Sequence, residues 1–138
     1  MVKSKYHIPR THLSVAMQNL FVQKSFPQFS FSGICGVGTW RGTLQPTPIS
    51  PVYQILVKYN VNNVPHVWVL SPEIKGNAPH RYKDKSLCLY WHKEWNWSPD
   101  QDISKTIIAW TAFWLYFYEI WLDTGEWLAE SAPHAPPQ

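Results

Sequence analysis

The sequence PHRYKDKSLCLYWHKEWNWSPDQDISK occupies residues 79–105 and contains the most informative residue of the chain. That residue is Cys88, one of two cysteines among 138 residues, which follows a polar segment and precedes a Trp-Ser-Pro triplet beginning at Trp97. Asp102 then suits the amino-terminal cap of a helix, because its carboxylate can accept hydrogen bonds from unpaired backbone N–H groups. A cysteine between a polar loop and a helix start is where a thiol-dependent acyl carrier would keep its nucleophile.

A helix is predicted near the amino terminus. Thr11 can cap a helix that runs to about Phe26, and Pro27 ends it because proline cannot continue a helix. Apolar residues recur within it at helical spacing, so we expect one face to be buried. The expected members of that face are Leu13, Met17, Leu20 and Phe21.

Strands are predicted between this helix and the cysteine segment. Phe29–Ile34 and Thr39–Leu44 flank the sequence CGVG, a pattern that is typical of a β-hairpin. Tyr53–Tyr59 alternates in polarity as a half-buried strand does, and His66–Leu70 predicts another strand before Pro72. The sequence therefore predicts three or four antiparallel strands.

The second half of the chain predicts a long loop and a long helix. Ser71–Pro99 has little periodicity, and loops of that length inside compact domains are usually functional. Ile103 begins a helix that runs to about Asp123 and ends at Gly125. The residues expected to face the sheet are Ile107, Trp110, Trp114, Phe117 and Trp121.

The order of these elements predicts a single α+β domain. We expect it to cover residues 1–130, followed by a flexible tail at residues 131–138 with the sequence SAPHAPPQ. Hydrophobic residues make up 45% of the chain and charged residues 15%, which is typical of a globular protein. The net charge is +3 without a basic run of five or more residues, so nucleic acid is not an expected partner.

No targeting or membrane segment is expected. The amino terminus lacks the apolar run of a signal peptide, and Ile107–Leu122 is too short and too polar to span a bilayer. Cys35 and Cys88 show no disulfide framework pattern, which fits reduced thiols. We therefore expect a soluble protein of the cytoplasm.

Residues 79–105 resemble the active-site segment of the ubiquitin-conjugating enzyme family, without a gap over 27 positions. Members of that family carry a His-Pro-Asn motif, a Tyr-x-Asp turn, the catalytic cysteine and then a Trp-Ser-Pro triplet. In this chain His80 stands where the family has its asparagine. The matching positions are Pro79, Tyr82, Asp84, Ser86, Cys88, Leu89, Trp97, Ser98 and Pro99.

This resemblance implies a particular α+β fold. It consists of an amino-terminal helix, a four-stranded antiparallel meander, an active-site loop and a long helix, which is rich in tryptophan here. The two further carboxyl-terminal helices of common members would be absent, because the chain ends too soon to supply them. The exposed side of the long helix would then be covered either by residues 126–137 folding back or by a protein partner.

A finer resemblance is to small bacterial members of the family from type II CBASS antiphage systems. The shared patterns lie at His80–Tyr90 and at Tyr118–Trp127. The resemblance implies that the protein works in the bacterial cytoplasm and helps couple the carboxyl terminus of a cGAS/DncV-like nucleotidyltransferase to a target. That nucleotidyltransferase is the expected protein partner, and no cofactor is expected.

The resemblance also implies roles for single residues. Cys88 would carry a protein carboxyl terminus as a thioester until an amine attacks it. His80 would either donate a hydrogen bond to the oxyanion, as the family's asparagine does, or brace the loop. Support of the active-site loop is expected from Pro79, Tyr82, Asp84, Leu89, His92 and Trp97. The position of His92, four residues past Cys88, indicates a proton relay as a further role for it, apart from the resemblance.

The charges near Cys88 in sequence suggest an activated thiol. Cations favour the thiolate, which is the nucleophilic form of cysteine. Five residues that can carry positive charge lie close to Cys88 in the sequence, so we expect the pKa of its thiol to be lowered. They are Arg81, Lys83, Lys85, His92 and Lys93.

Other interpretations of the segment stay open. Cys88 could be a buried core cysteine, and Cys35, in the predicted hairpin, fits a structural role better than a catalytic one. A metal site built from His80, Asp84, Cys88 and His92 lacks the paired spacing of such sites. A Cys-His-Asp hydrolase would need a distal histidine and aspartate that no motif marks. An inactive scaffold of the same fold, which binds the nucleotidyltransferase or a ubiquitin-like protein without chemistry, is the alternative to a transferase.

Overall fold

The computed structural model describes residues 12–128. These residues form an α+β fold with two helices and a four-stranded antiparallel sheet. The predictions for Thr11 and for the tail at residues 131–138 lie outside the described residues. The elements in chain order are α1 (Val15–Ser25), β1 (Ser30–Ile34), β2 (Val37–Leu44), β3 (Tyr53–Asn60), β4 (His66–Ser71) and α2 (Ala109–Thr124).

The sheet is a meander in which neighbouring strands follow one another along the chain, in the order β1-β2-β3-β4. The predicted hairpin is confirmed, but β2 begins at Val37 rather than Thr39 because the turn contains only Cys35 and Gly36. Both turn residues have positive φ angles, 49° and 78°, as two-residue hairpin turns require. The inner face of the sheet buries large side chains from β2, β3 and β4, namely Trp40, Ile55, Val57, Tyr59 and Val67.

Helix α1 begins later than the sequence predicted. Its cap within the described residues is Ser14, whose hydroxyl accepts a hydrogen bond from the backbone N–H of Met17 at 3.1 Å. The predicted buried face is wrong, because Met17 and Leu20 are 40% and 61% exposed. The residues that α1 buries completely are Gln18 and Val22.

Gln18 can lie in the core because both ends of its amide are paired. Its Nε2 donates to the carbonyl oxygen of Gln101 at 2.7 Å, and its Oε1 accepts from the backbone N–H of Ile103 at 2.9 Å. A buried polar group costs little when its hydrogen bonds are made. Gln18 therefore joins α1 to the turn that precedes α2.

The predicted carboxyl-terminal helix is confirmed, with one irregularity at its start. Asp102 accepts a hydrogen bond from the backbone N–H of Ser104 at 2.8 Å, and a π-helical turn then occupies Ser104–Ile108. In this turn the N–H of Ile108 bonds to the carbonyl oxygen of Ile103, five residues earlier, at 3.0 Å. The helix ends at Gly125, whose φ angle of 79° suits glycine.

The face that α2 turns to the core differs from the prediction. Trp114 is buried as expected, but Trp110, Phe117 and Trp121 are only half-buried. The wide turn at Ser104–Ile108 places two adjacent isoleucines in the core, and the buried stripe that follows is shifted around the helix relative to the expected one. Its members are Ile107, Ile108, Thr111, Trp114, Leu115 and Tyr118.

Loop and carboxyl-terminal residues cover part of α2. Tyr90 and Trp95 pack their rings against Trp110, with centroid distances of 6.2 and 4.8 Å. Trp127 folds back against Trp114 at 5.2 Å, so the described part of the carboxyl-terminal segment returns to the domain. On the outer side of α2, Phe113, Tyr116 and Leu122 stay between 43% and 52% exposed. Neither described helix has the length and apolar character needed to cross a membrane.

Candidate functional site

Cys88 lies at the end of a small hairpin in the long loop between β4 and the π-helical turn. Arg81 and Leu87 form an isolated antiparallel bridge, and the N–H of Cys88 donates to the carbonyl oxygen of His80 at 2.8 Å. The hairpin is attached to the sheet where the N–H of Leu87 donates to the carbonyl oxygen of Val67 at 2.9 Å. The backbone around Cys88 is therefore fixed on both sides.

The tip of this hairpin is a tight turn from Tyr82 to Lys85. The N–H of Lys85 donates to the carbonyl oxygen of Tyr82 at 2.9 Å, and Lys85 has a positive φ angle of 72°. Asp84 accepts hydrogen bonds from the backbone N–H and the hydroxyl of Ser86, at 2.9 and 2.6 Å, and these bonds lower the pKa of its carboxyl. Trp68 on β4 donates its indole N–H to the Asp84 carbonyl oxygen at 3.0 Å. Sheet and turn are thus held together.

His80 connects the hairpin to α2 through its backbone. Its carbonyl oxygen accepts both the N–H of Cys88 and the indole N–H of Trp114, the latter at 3.0 Å. Its ring packs against Trp127, with a centroid distance of 4.9 Å, and burial lowers the pKa of the imidazole. The ring is therefore neutral at pH 7. One ring nitrogen then carries a proton, and the other has a lone pair that can accept a hydrogen bond. His80 has a positive φ angle of 61°, a conformation in which histidine and asparagine are enriched.

The thiol of Cys88 is half-buried and donates to the carbonyl oxygen of Tyr90, with an Sγ–O distance of 3.7 Å. Burial raises the pKa of the thiol, and interactions with the Tyr82 hydroxyl and the backbone of Tyr90 oppose that rise. No cation within residues 12–128 is among the causes of this shift, so the prediction of a cation-activated thiolate is wrong. The lysines adjacent in sequence are exposed around the turn, and solvent screens charges in such positions.

The remaining predicted site residues lie in different surroundings. Leu89 is a buried core residue, Pro79 is half-buried, and Trp97 packs its ring against Tyr59 at 5.3 Å. His92 is exposed, and its carbonyl oxygen accepts the side-chain amide of Asn96 at 3.0 Å. The structure therefore brings His80 and Tyr82 to Cys88, while His92 lies in an exposed turn.

Two residues that touch this site were missed by the sequence reasoning. Tyr90 contacts the thiol through its backbone, and Trp114 holds the His80 carbonyl from α2. The contact of Tyr90 is made by its backbone, which the pattern of side chains in a sequence does not reveal. Trp114 was predicted only to face the sheet, and its hydrogen bond to His80 was not predicted. Within residues 12–128, no three histidine, cysteine, aspartate or glutamate side chains cluster as they would around a metal ion.

A family model described as "Type II CBASS E2 protein" matches residues 18–135, which include the whole cysteine hairpin and both helices except the start of α1. The chain belongs to this family. No curated protein matches it. Membership gives this CBASS E2-like protein a role in an antiphage defence system, points to conjugating activity in general, and implies protein partners within CBASS.

The surroundings of the thiol predict how its reactivity depends on pH in this CBASS E2-like protein. Because burial raises the pKa, the thiolate fraction is small at neutral pH and grows as the pH rises through and above the ordinary cysteine range. Tyr82→Phe removes an interaction that favours the thiolate, so the profile should move to higher pH. A net hydrogen bond is worth about 0.5–1.5 kcal/mol, so the alkylation rate at neutral pH should fall roughly 2- to 12-fold.

This prediction can be measured with iodoacetamide in a Cys35→Ala background, in which Cys88 is the remaining thiol. Tyr116→Phe is the matched control, since Tyr116 is an exposed tyrosine on α2 and should leave the profile unchanged. A faster reaction in Tyr82→Phe than in the parent would contradict the assigned direction.

Proposed function

We propose that this protein is a ubiquitin-conjugating-type transferase that carries a protein carboxyl terminus as a thioester on Cys88. The observation that carries the proposal is the setting of this thiol. It is half-exposed, its backbone N–H donates to the His80 carbonyl oxygen at 2.8 Å, and its Sγ donates to the Tyr90 carbonyl oxygen at 3.7 Å. Cys35, by contrast, lies exposed in the two-residue turn between β1 and β2.

The proposed chemistry consists of two acyl transfers. In the first, the thiol of Cys88 gives up its proton and its sulfur attacks an activated carboxyl terminus, presented as an acyl group on a partner protein, whose leaving group departs. In the second, an amine attacks the thioester carbonyl, an amide forms, and the thiol is regained. Neither step changes an oxidation state, and neither requires a cofactor.

His80 is proposed to act mainly by positioning Cys88. Its carbonyl oxygen accepts the Cys88 N–H, and the same oxygen is fixed by Trp114. A neutral imidazole carries one N–H group, which is the same kind of donor as the asparagine amide that serves the oxyanion in other members of the family. Tyr82 is proposed to stabilise the thiolate as it forms.

The finer fold and partner assignments are part of the same proposal. The order of α1, the four-strand meander, the cysteine loop and α2 supports a ubiquitin-conjugating-enzyme fold. We assign residues 1–130 to this single domain and place the protein in the bacterial cytoplasm. The proposed partner is a cGAS/DncV-like nucleotidyltransferase, with the exposed Phe113, Tyr116 and Leu122 of α2 as a contact surface.

The test is co-expression with the proteins of the same operon, followed by a non-reducing gel. We expect an adduct that thiol reductant removes, that Cys88→Ala abolishes completely, and that Cys35→Ala leaves unchanged. Cys35→Ala is the matched control because it removes the other cysteine without altering the backbone preference at its positive φ angle. If no adduct forms while complexes with the partner survive Cys88→Ala, the protein is a scaffold and the transferase proposal fails.

A further inference from the structure

An open groove of about 850 Å³ runs beside the hairpin that carries Cys88. It lies between edge strand β4 and the loop that follows it, and we refer to it as the β4 groove. Its volume is within the range found for ligand sites. Its lining includes Lys58 on β3, Trp68 and Val69 on β4, and Tyr82 and Lys83 on the hairpin.

The β4 groove is rich in positive charge. Lys58, Arg81, Lys83 and Lys85 line it, together with the two carboxylates Glu73 and Asp84. The carboxylate of Asp84 is already engaged by the backbone and the hydroxyl of Ser86. Among residues 12–128 no ion pair involves Lys83 or Lys85. Charge complementarity therefore favours an anionic occupant.

The wall formed by β4 offers backbone hydrogen bonds. The carbonyl oxygen of Val67 points away from β3, because it accepts the N–H of Leu87. Alternate residues of an edge strand direct their backbone groups to the same side, so the N–H and C=O of Val69 face the β4 groove. Among the described residues these two groups have no partner outside the sheet. An extended peptide can pair with such an edge.

The β4 groove also leads to the thiol. Tyr82 lines it, and the backbone N–H of Tyr82 donates to the carbonyl oxygen of Ser86, two residues before Cys88, at 2.9 Å. Leu87, the neighbour of Cys88 in the chain, lines it as well. A strand that lies along β4 can therefore end near the sulfur.

We propose that the β4 groove binds an extended, acidic peptide segment, which pairs with the backbone of Val69 and places its acidic side chains against Lys58, Lys83 and Lys85. The occupant is the segment that precedes the carried carboxyl terminus, an assignment that rests on the function proposed above. The β4 groove thus selects carboxyl-terminal tails of negative charge before the thioester forms.

A peptide fits the β4 groove better than a nucleic acid does. Nucleic acid cannot pair with the outward-facing N–H and C=O of Val69 as a second strand can. Binding of single strands without sequence preference relies on aromatic rings that stack with bases. The ring of Trp68 is already stacked on His66 at a centroid distance of 5.9 Å, and its indole N–H is bonded to Asp84.

The test measures peptide binding to the full chain carrying Cys88→Ala, so that no thioester can form. The probe is a labelled short peptide of alternating glutamate and valine with a free carboxyl terminus, followed by fluorescence anisotropy. We expect it to bind, to weaken as salt is added, and to bind roughly tenfold or more tightly than the same peptide with glutamine in place of glutamate. Equal binding of the two peptides would overturn the proposal.

Charge reversals locate the site on the protein. Lys83→Glu combined with Lys85→Glu should weaken binding roughly tenfold or more, whereas Lys24→Glu combined with Lys105→Glu should leave it unchanged. The control pair reverses two exposed lysines that do not line the β4 groove. Equal weakening by both pairs, or equal competition by a single-stranded oligonucleotide, would show general attraction to polyanions and overturn the proposal.

Strand pairing has its own readout. A peptide N-methylated at every second residue loses half of its backbone donors, so one of the two methylation registers should abolish binding while the other retains it. Equal binding in both registers would overturn the pairing. Because the binding assay needs no acyl transfer, a reductant-sensitive adduct on Cys88 without acidic-peptide binding would refute this inference and leave the proposed function standing.

Discussion

Trp114→Ala should lower the free energy of unfolding by about 3–5 kcal/mol, the usual cost of removing a large buried aromatic side chain. Trp114 is 4% exposed, stacks on Tyr118 at 5.4 Å and donates its indole N–H to His80. The same substitution frees the His80 carbonyl from α2, so the Cys88 hairpin should become more accessible. We therefore also expect faster alkylation of Cys88 by iodoacetamide under native conditions.

Urea denaturation followed by circular dichroism measures the loss of stability, and two variants separate its causes. Trp114→Phe keeps an aromatic ring but removes the donor, so its cost should be smaller and should include about 0.5–1.5 kcal/mol for the hydrogen bond. Trp91→Ala removes a half-exposed tryptophan whose ring lies 5.8 Å from the Lys93 ammonium, and should cost about 1 kcal/mol or less. If Trp114→Ala were as stable as Trp91→Ala, the link between α2 and the cysteine hairpin would be refuted.

Gln18→Ala should cost about 2–4 kcal/mol, because two backbone groups, one buried and one partly buried, lose their partners at once. The N–H of Ile103 and the carbonyl oxygen of Gln101 are both held by the Gln18 amide. Gln18→Leu, which keeps most of the side-chain volume, should also be strongly destabilising. The loss would then come from unpaired polar groups rather than from a cavity.

Gln28→Ala is the matched control for this prediction. Gln28 also donates its amide to a backbone carbonyl oxygen, that of Thr43 at 3.0 Å, but it is exposed to solvent. Water can replace that bond, so the change in unfolding free energy should stay within about 0.5 kcal/mol. Similar costs for Gln18→Ala and Gln28→Ala would show that the link between α1 and the start of α2 contributes no stability of its own.

The strands could be predicted from the sequence because their signals are local. Tyr53–Asn60 alternates in polarity, and glycine and proline residues mark the strand ends. The buried face of α1 could not be predicted, because Gln18 is buried only through partners 83 and 85 residues away in the chain. An argument from hydrophobic periodicity places a glutamine on the surface, because it takes no account of hydrogen bonds to distant residues.

The π-helical start of α2 and the raised pKa of the Cys88 thiol could not be predicted from the sequence, for similar reasons. No residue pattern marks the π-helical turn at Ser104–Ile108, which shifts the buried stripe. Cations adjacent to Cys88 in sequence suggested a lowered pKa, but the environment of the sulfur is set by burial, Tyr82 and Tyr90. The β4 groove could not be predicted either, because Lys58 and Lys83 come from two separate segments of the chain. Only the folded structure brings both to the same cavity.

The assignment of Cys88 as the nucleophile is tested most directly by identifying the residue that carries the acyl group. After co-expression with the operon proteins, tryptic peptides of the chain can be analysed by mass spectrometry without reduction. Cys88 falls in the peptide Ser86–Lys93 and Cys35 in the peptide Ser25–Arg41, so the two thiols are separated. We predict that Ser86–Lys93 carries the carboxyl-terminal remnant of the partner and loses it on treatment with reductant. A remnant on Ser25–Arg41, or none on either cysteine peptide, would contradict the assignment of Cys88 as the nucleophile.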